Sequence, residues 1–300
     1  MNYSKIKFLI GLCAIVAIFP GSTLAVAQPA SIAGDDSKVL HWAGCGITKK
    51  AFMAELAKGF EAETGIKVVL EGGGATRGIR DPAALKIDMG GSCRMSLPEV
   101  ERSELSASLY PVAWDALAII AHKKNPIDNL TTDQVKKIYL GKITNWKDVG
   151  GPNAPIHLYV RIGKISGVGY AIRQYIFQDS GIEFVTNNVV KSSGPLEKAV
   201  EKDPLAMGIT GISSARKRKV KVLDFDGKTP SYENVKDGTY GLYRPLYLVT
   251  SPAPSKHVKQ FIDFAMSDKG REIIRNNKTV PYMDAPNLMR KLLIYGFGVK

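Results

Sequence analysis

The sequence predicts an α/β fold built in two lobes. Three observations carry that prediction. Strand-like and helix-like stretches alternate through the first part of the chain. Glycine-rich turns repeatedly close a strand and open a helix. Two long apolar strands, 112–120 and 243–250, stand where the alternation restarts.

The elements follow in order. "KVLHWAG" reads as a strand. "KKAFMAELAKGFEAET" places Phe52, Leu56 and Phe60 four apart, the apolar face of an amphipathic helix, and Gly65 is its stop. "IKVVLEG" is a second strand, "GGATRGIRDPAALK" a turn into a helix, and "IDMGG" a third strand. This run predicts a parallel sheet. "TTDQVKKIYLG" is a helix capped by Thr131 or Thr132. "IHLYVRIG" is a strand, and "VGYAIRQYIFQDSG" and "SSGPLEKAVEKDP" are helices. "AMGITGI" and "KVKVLDF" are strands, and "SKHVKQFIDFAMSDKGREIIRNN" forms one or two closing helices. The tail 289–300 is open between helix, strand and frayed end. If both long strands cross between lobes, 28–113 with 248–300 form one lobe and 114–247 the other.

The first 27 residues are read apart from the fold. Lys5 and Lys7 precede an apolar run from Phe8 to Phe19, and Ala25-Val26-Ala27 is a small-x-small site, so 1–27 is expected to be a cleaved signal peptide of an exported, soluble protein. The 300-residue chain carries a formal charge of +13, and remains strongly basic without Lys5 and Lys7. That excess suits an anionic ligand, and export argues against nucleic acid. Export also puts Cys45 and Cys93 in an oxidising compartment, where a disulfide and two free thiols are both open.

Four strand-end loops share one chemistry. "AGCGITKK" presents Gly46, Ile47 and Thr48; "GGGATRGI" presents Thr76 and Arg77; "GGSCR" presents Ser92, Cys93 and Arg94; "RIGKISGVG" presents Arg161, Ser166 and Gly167. Ligands of open α/β sheets sit at the carboxyl ends of strands, and amides at a helix start favour an anion. Hydroxyls in all four loops and arginines in three make a cradle rich in donors and poor in carboxylates. Asp115 is expected to pair with an arginine and Asp88 to be structural. Trp42, Trp114 and Trp146 read as packing residues, and His122, His157 and His257 as surface residues. The run 215–221, "ARKRKVK", reads as a solvated loop. No serine has a neighbouring histidine, and no carboxylates cluster at metal spacing, so neither an enzyme nor a metal or cofactor is expected.

Taken together, "GCGIT", "EGGGATRGI", "IDMGGSCR", "YLGKITNWKDVGGP", "RIGKISGVG" and "DGTYGLYRPLYLVT" resemble, in order, the motifs of the phosphate-binding proteins of ABC importers. The resemblance covers nearly all of 28–300. It implies a type 2 periplasmic-binding-protein clamshell, each lobe a mixed, mainly parallel sheet flanked by helices, with two crossing hinge strands. It implies a monomeric periplasmic protein that hands phosphate or a related small anion to an inner-membrane ABC permease. Thr48, Ser92 or Cys93, and Arg161, Ser166 and Gly167 would be donors, and Cys45 and Cys93 would meet at the cleft. The departures fall in the same loops. Ala75 replaces a serine, Cys93 stands for a serine or aspartate, one extra residue separates Arg161 from Ser166, and Val168 replaces a threonine. They leave open the same fold serving as a carrier or sensor subunit for a phosphonate, organic acid or lipid-like ligand; a periplasmic hydrolase is a further alternative.

Overall fold

The computed structural model describes residues 38–295. The signal-peptide expectation, 1–27, and the last five residues of the tail lie outside them.

The first βαβαβ run forms as the sequence predicts. Strand β1 (Val39–Gly44) leads into a continuous helical stretch: α1 (Gly46–Thr48), a π turn over 49–53, then α2 (Ala54–Thr64). Phe52, Leu56 and Phe60 are fully buried along one face, and Gly65, at φ 70°, ends the helix in the left-handed region glycine tolerates. β2 (Lys67–Gly72), α3 (Gly74–Ala83) and β3 (Met89–Ser92) follow, and β1 pairs in parallel with both neighbours. The start of α3 rests directly on strand backbone. A Cβ at Gly78 would overlap the Gly91 carbonyl, and one at Gly90 would overlap the carbonyl of Gly78.

β4 (Ser108–His122) is a 15-residue strand, and its last eleven residues are buried. β5 (Asn129–Leu130) precedes α4 (Thr132–Tyr139). Thr131 is the α4 cap and forms a full capping box with Gln134. β6 (His157–Arg161) runs into α5 (Gly167–Ile172), which continues as a π turn over 173–177. Then come β7 (Asn188–Val190), α6 (Ser193–Lys202), β8 (Ala206–Gly211), α7 (Ile212–Ala215), β9 (Val220–Phe225) and α8 (Tyr232–Lys236). β10 (Tyr243–Thr250) returns beside β4. The closing segment splits into α9 (Lys256–Met266) and α10 (Asp268–Asn276), followed by β11 (Val280–Pro281) and α11 (Pro286–Tyr295). The tail is therefore helical as far as it is described.

The main strand order is β2-β1-β3-β10-β4-β8-β6-β7. Parallel pairs lie at both ends, and the antiparallel pairs gather around β4 and β10. β4 changes partners along its length. Residues 108–116 pair with β10, and 117–122 with β8 and β9. One long strand thus serves two groups of strands. Phe60 packs on Phe261 and Phe264 at centroid distances of 5.0 and 5.6 Å, which anchors α9 against α2.

The tryptophans are packing residues. Trp42, Trp114 and Trp146 are each at most 1% exposed, and Trp114 stacks on Tyr282. One expectation changes. His122 is buried rather than on the surface, because β4 carries it into the core, where its ring nitrogen accepts from the Lys124 amide. The basic run is exposed at Arg216, Lys217 and Lys219, as a solvated turn is, and its cations are also tied to the fold. Arg216 donates to the Lys278 carbonyl, Lys217 to the Lys50 carbonyl, and Arg218 to buried Glu197.

Candidate functional site

The loops after β1, β3 and β6 converge. The Cys45 and Cys93 sulfurs lie 2.9 Å apart, both buried. A Cβ on Gly167, the first residue of α5, would overlap the Cys93 sulfur and approach the Ala75 Cβ to 3.0 Å. Only glycine lets these loops meet this closely. The Ile47 and Thr48 amides lie near enough to Cys45 to favour its ionised form. The structure carries the two as free thiols. Their separation is longer than an S–S bond of about 2.05 Å.

Two guanidinium groups face this point. Arg161, at the end of β6, donates to the Ser193 hydroxyl at 3.0 Å and the Lys191 carbonyl at 3.1 Å, leaving its Nε without a hydrogen-bond partner. Arg244, on β10, is 0% exposed. Its Nη1 reaches the Gly167 carbonyl at 3.3 Å, and its Nη2 lies 3.9 Å from Asp115 Oδ2; Nε and Nη2 have no hydrogen-bond partner. The hydroxyl of Thr48, also 0% exposed, has none either. Buried polar groups are almost always paired, so several unpaired donors at one point fit an anionic ligand.

The electrostatics agree. Burial is the main force lowering Arg161, and the cysteine sulfurs act against it. Burial also opposes the charge of Arg244, but the sulfurs and Asp115 more than offset it. The Cys93 thiol, donating to Cys45, brings Cys45 down to about 6 against burial, aided by Arg244 and the two amides. Cys93 is correspondingly pushed well up. Burial raises Asp115 against Arg244 and Ser213, whose hydroxyl and amide it accepts.

Several sequence candidates are engaged elsewhere. Arg77 is spent locally: it binds Asp81 and Glu71 at 2.8 Å each and the Gly72 carbonyl. Arg94 forks onto buried Glu104 through two 2.8 Å bonds and donates to the Met95 and Ile165 carbonyls, so it is a structural tie. Ser92 closes its own turn through the Arg94 carbonyl and amide. Ser166 caps α5 by position, but its hydroxyl donates to the Gly163 carbonyl. Thr76 is half-buried and meets Arg94 at 3.4 Å. Gly46 is exposed, while Ile47 is buried beside Cys45. Asp115 faces an arginine as expected, and Asp88 accepts from the His41 amide.

Sequence reasoning missed Arg244. Its signal is a lone cation inside the apolar run "YRPLYLVT", where burial without a reason is costly. A cavity of about 30 Å³ adjoins the site, lined by Cys93, Arg94, Tyr170, Tyr175 and Tyr247. A cavity of about 580 Å³ lies elsewhere, beside His157, Tyr159 and Asp203. No lysine or arginine lines it, so it lacks the charge an anion requires. Among the described residues no group of three or more His, Cys, Asp or Glu side chains is placed to hold a metal, and no helix is long and apolar enough to cross a membrane.

The model of the PBP superfamily domain matches residues 39–269. The chain is 31% identical over 183 residues to the phosphate-binding protein PstS of Borreliella burgdorferi, covering 58% of this chain and 66% of that protein. It is 25% identical over 243 residues to the PstS of Bacillus subtilis, covering 80% of each. It thus spans just under two thirds of the first relative and more of the second. Among solved structures, a substrate-binding protein from Clostridium perfringens, assigned to a phosphate ABC transporter and solved with phosphate bound, is similar with a TM-score of 0.73. Identity there is 26%, covering 81% of this chain and 99% of that one. An ABC-type phosphate transport receptor from Vibrio cholerae matches at 26% identity and a TM-score of 0.62, covering 81% and 99%.

Proposed function

This chain belongs to the PBP superfamily, and from that premise we propose that it is an exported solute-binding protein that captures phosphate or a closely related oxyanion between two lobes for ABC-type import. The observation that carries the reading is the buried group of unpaired donors: Thr48 Oγ1, Arg161 Nε, and Arg244 Nε and Nη2. The names of the relatives agree with it.

The proposed mechanism involves no covalent chemistry. The lobes are 28–113 with 248–300, and 114–247. The anion accepts from Thr48 in one lobe and from Arg161, Arg244 and the Gly167 amide in the other. Bridging both, it stabilises the closed arrangement and shifts the population toward it. Contacts between the two segments already favour closure. Lys50 binds Glu197 at 3.0 Å and Ser214 at 2.7 Å, and Arg94 donates to the Ile165 carbonyl at 2.8 Å. The closed form is what an inner-membrane permease would receive.

Calorimetric titration with inorganic phosphate tests this. Arg161→Ala is expected to weaken binding by roughly 10- to 100-fold, the loss of a charge-assisted hydrogen bond. Arg77→Ala is expected to bind as the parent does, since Arg77 is engaged elsewhere. No phosphate binding by the parent protein, or equal losses in both variants, contradicts the reading.

A further inference from the structure

The anion cradle is already partly taken up by the protein's own sulfur. The Ile47 and Thr48 amides of the first loop lie near Cys45 and favour its ionised form. Cys45 lies 2.9 Å from Cys93, which in turn lies against the start of α5 at Gly167. The two cysteines come from the ends of different strands, β1 and β3, 48 positions apart in sequence. The backbone holds the loops together independently, because the Cys45 amide donates to the Gly91 carbonyl at 2.9 Å. No large rearrangement is needed to bring the sulfurs to bonding distance.

We propose that Cys45 and Cys93 form a reversible disulfide that governs anion capture, the reduced pair competing with the ligand for the cradle and the oxidised pair releasing it. The control half of this inference rests on the oxyanion reading above. The bond-forming half stands on the sulfur geometry alone.

The chemistry is a thiol–disulfide exchange with a small-molecule or protein disulfide as oxidant. The Cys45 thiolate attacks one sulfur of that disulfide, and one thiolate departs. Cys93 gives up its proton to the departing thiolate, and its sulfur displaces the second thiolate from Cys45. One S–S bond forms within the chain and one breaks in the oxidant, which takes two electrons. The ionised form of Cys45 makes it the attacking sulfur. Both cysteines are at most 3% exposed here, so exchange proceeds from the opened, ligand-free protein.

The effect on binding is electrostatic. With Cys93, Arg244 and the nearby Ile47 and Thr48 amides favouring a Cys45 thiolate, the reduced pair sets negative charge beside Arg161 and Arg244. An incoming oxyanion would meet that charge and find those amides engaged. In the disulfide the charge is gone and both amides are free to donate. Removing one like charge from a buried site is expected to tighten binding by on the order of tenfold or more.

The test takes the exported chain, without 1–27, equilibrated with reduced or oxidised glutathione and without phosphate. Alkylation followed by peptide mass analysis reads Cys45 and Cys93. Calorimetry then gives the phosphate affinity of each form. The expected result is blocked alkylation at both residues after oxidation and tighter phosphate binding. Cys93→Ser and Cys45→Ser are each expected to lose the difference between conditions. Both cysteines remaining alkylatable after oxidation would overturn the proposal. A disulfide with unchanged phosphate affinity would overturn its control of capture while leaving the phosphate reading intact. A disulfide with no phosphate binding in either form would overturn both that control and the phosphate reading.

Discussion

Arg244 and Asp115 stand directly opposite each other on β10 and β4, both buried, with 3.9 Å between Nη2 and Oδ2. The pair is charged and incompletely hydrogen bonded, since Arg244 Nε and Nη2 and Asp115 Oδ2 have no such partner. An ion pair in this state is a poor source of stability, because desolvation of both groups is only partly recovered. It is well suited to receiving another anion at the arginine.

Asp115→Asn separates these roles. The amide keeps an acceptor for Ser213 but removes the countercharge to Arg244. Breaking a buried pair in this way is expected to lower stability by roughly 3 kcal/mol, measured by urea unfolding. Phosphate affinity should rise, because a repelling charge has gone, and added phosphate should restore part of the stability. Weaker binding in this variant would contradict placing the anion at Arg244.

Under reducing conditions Cys45 makes binding depend on pH. Cys93, Arg244 and Arg161 are the charged or titrating groups facing it. In the ligand-free protein its value is brought down to about 6. Below that pH the thiol is neutral, and above it the thiolate competes with the ligand. The ratio of parent to Cys45→Ser affinity for phosphate should be flat below about pH 6 and fall by up to about tenfold per unit above it. The serine variant cancels the ionisation of phosphate itself. A ratio that stays flat or rises above pH 6 excludes the thiolate from the cradle.

Lys50→Met tests the tie to α6 and α7. Glu197 keeps Arg218, Thr210 and Ser214 as partners, so the fold should lose only about 1 kcal/mol. The closed arrangement loses a direct link, and phosphate affinity should fall by about tenfold. Calorimetry beside a thermal melt reads both quantities. A large loss of melting temperature with unchanged affinity would assign Lys50 to the fold alone.

Gly167→Ala should abolish tight binding, because its methyl would collide with the Cys93 sulfur. Cys93→Ala added to it removes that sulfur and should restore a closed, binding-competent protein in part. Failure of this rescue would assign the block to the Ala75 Cβ, 3.0 Å away, rather than to the sulfur.

The order of elements was legible because it depends on local patterns: apolar spacing in Phe52, Leu56 and Phe60, the Thr131 cap, and Gly65 at a helix end. Short elements such as β7 and α7 carry too few residues to show a period. The site was legible only in part. Thr48, Arg161 and Gly167 lie at strand ends, where the sheet itself aims them. Arg94 lies at one too, but Glu104, ten positions on, claims it through a turn that spacing does not reveal. Arg77 is claimed by Asp81, one helical turn along. Arg244 gave the opposite signal, since an apolar strand conceals which face a lone cation occupies.

The bare contact of α3 with the strands at Gly78, Gly90 and Gly91 bears on how such a receptor changes its preferences. At these glycines helix and sheet meet main chain to main chain, beside Ile79 packed on Tyr247 and Val249, so the second loop is held in register by close backbone contact there. Substitutions that retune selectivity at 75, 76 or 93 can accumulate without shifting that register, whereas a single methyl at 78 would tilt the platform on which every such choice is displayed.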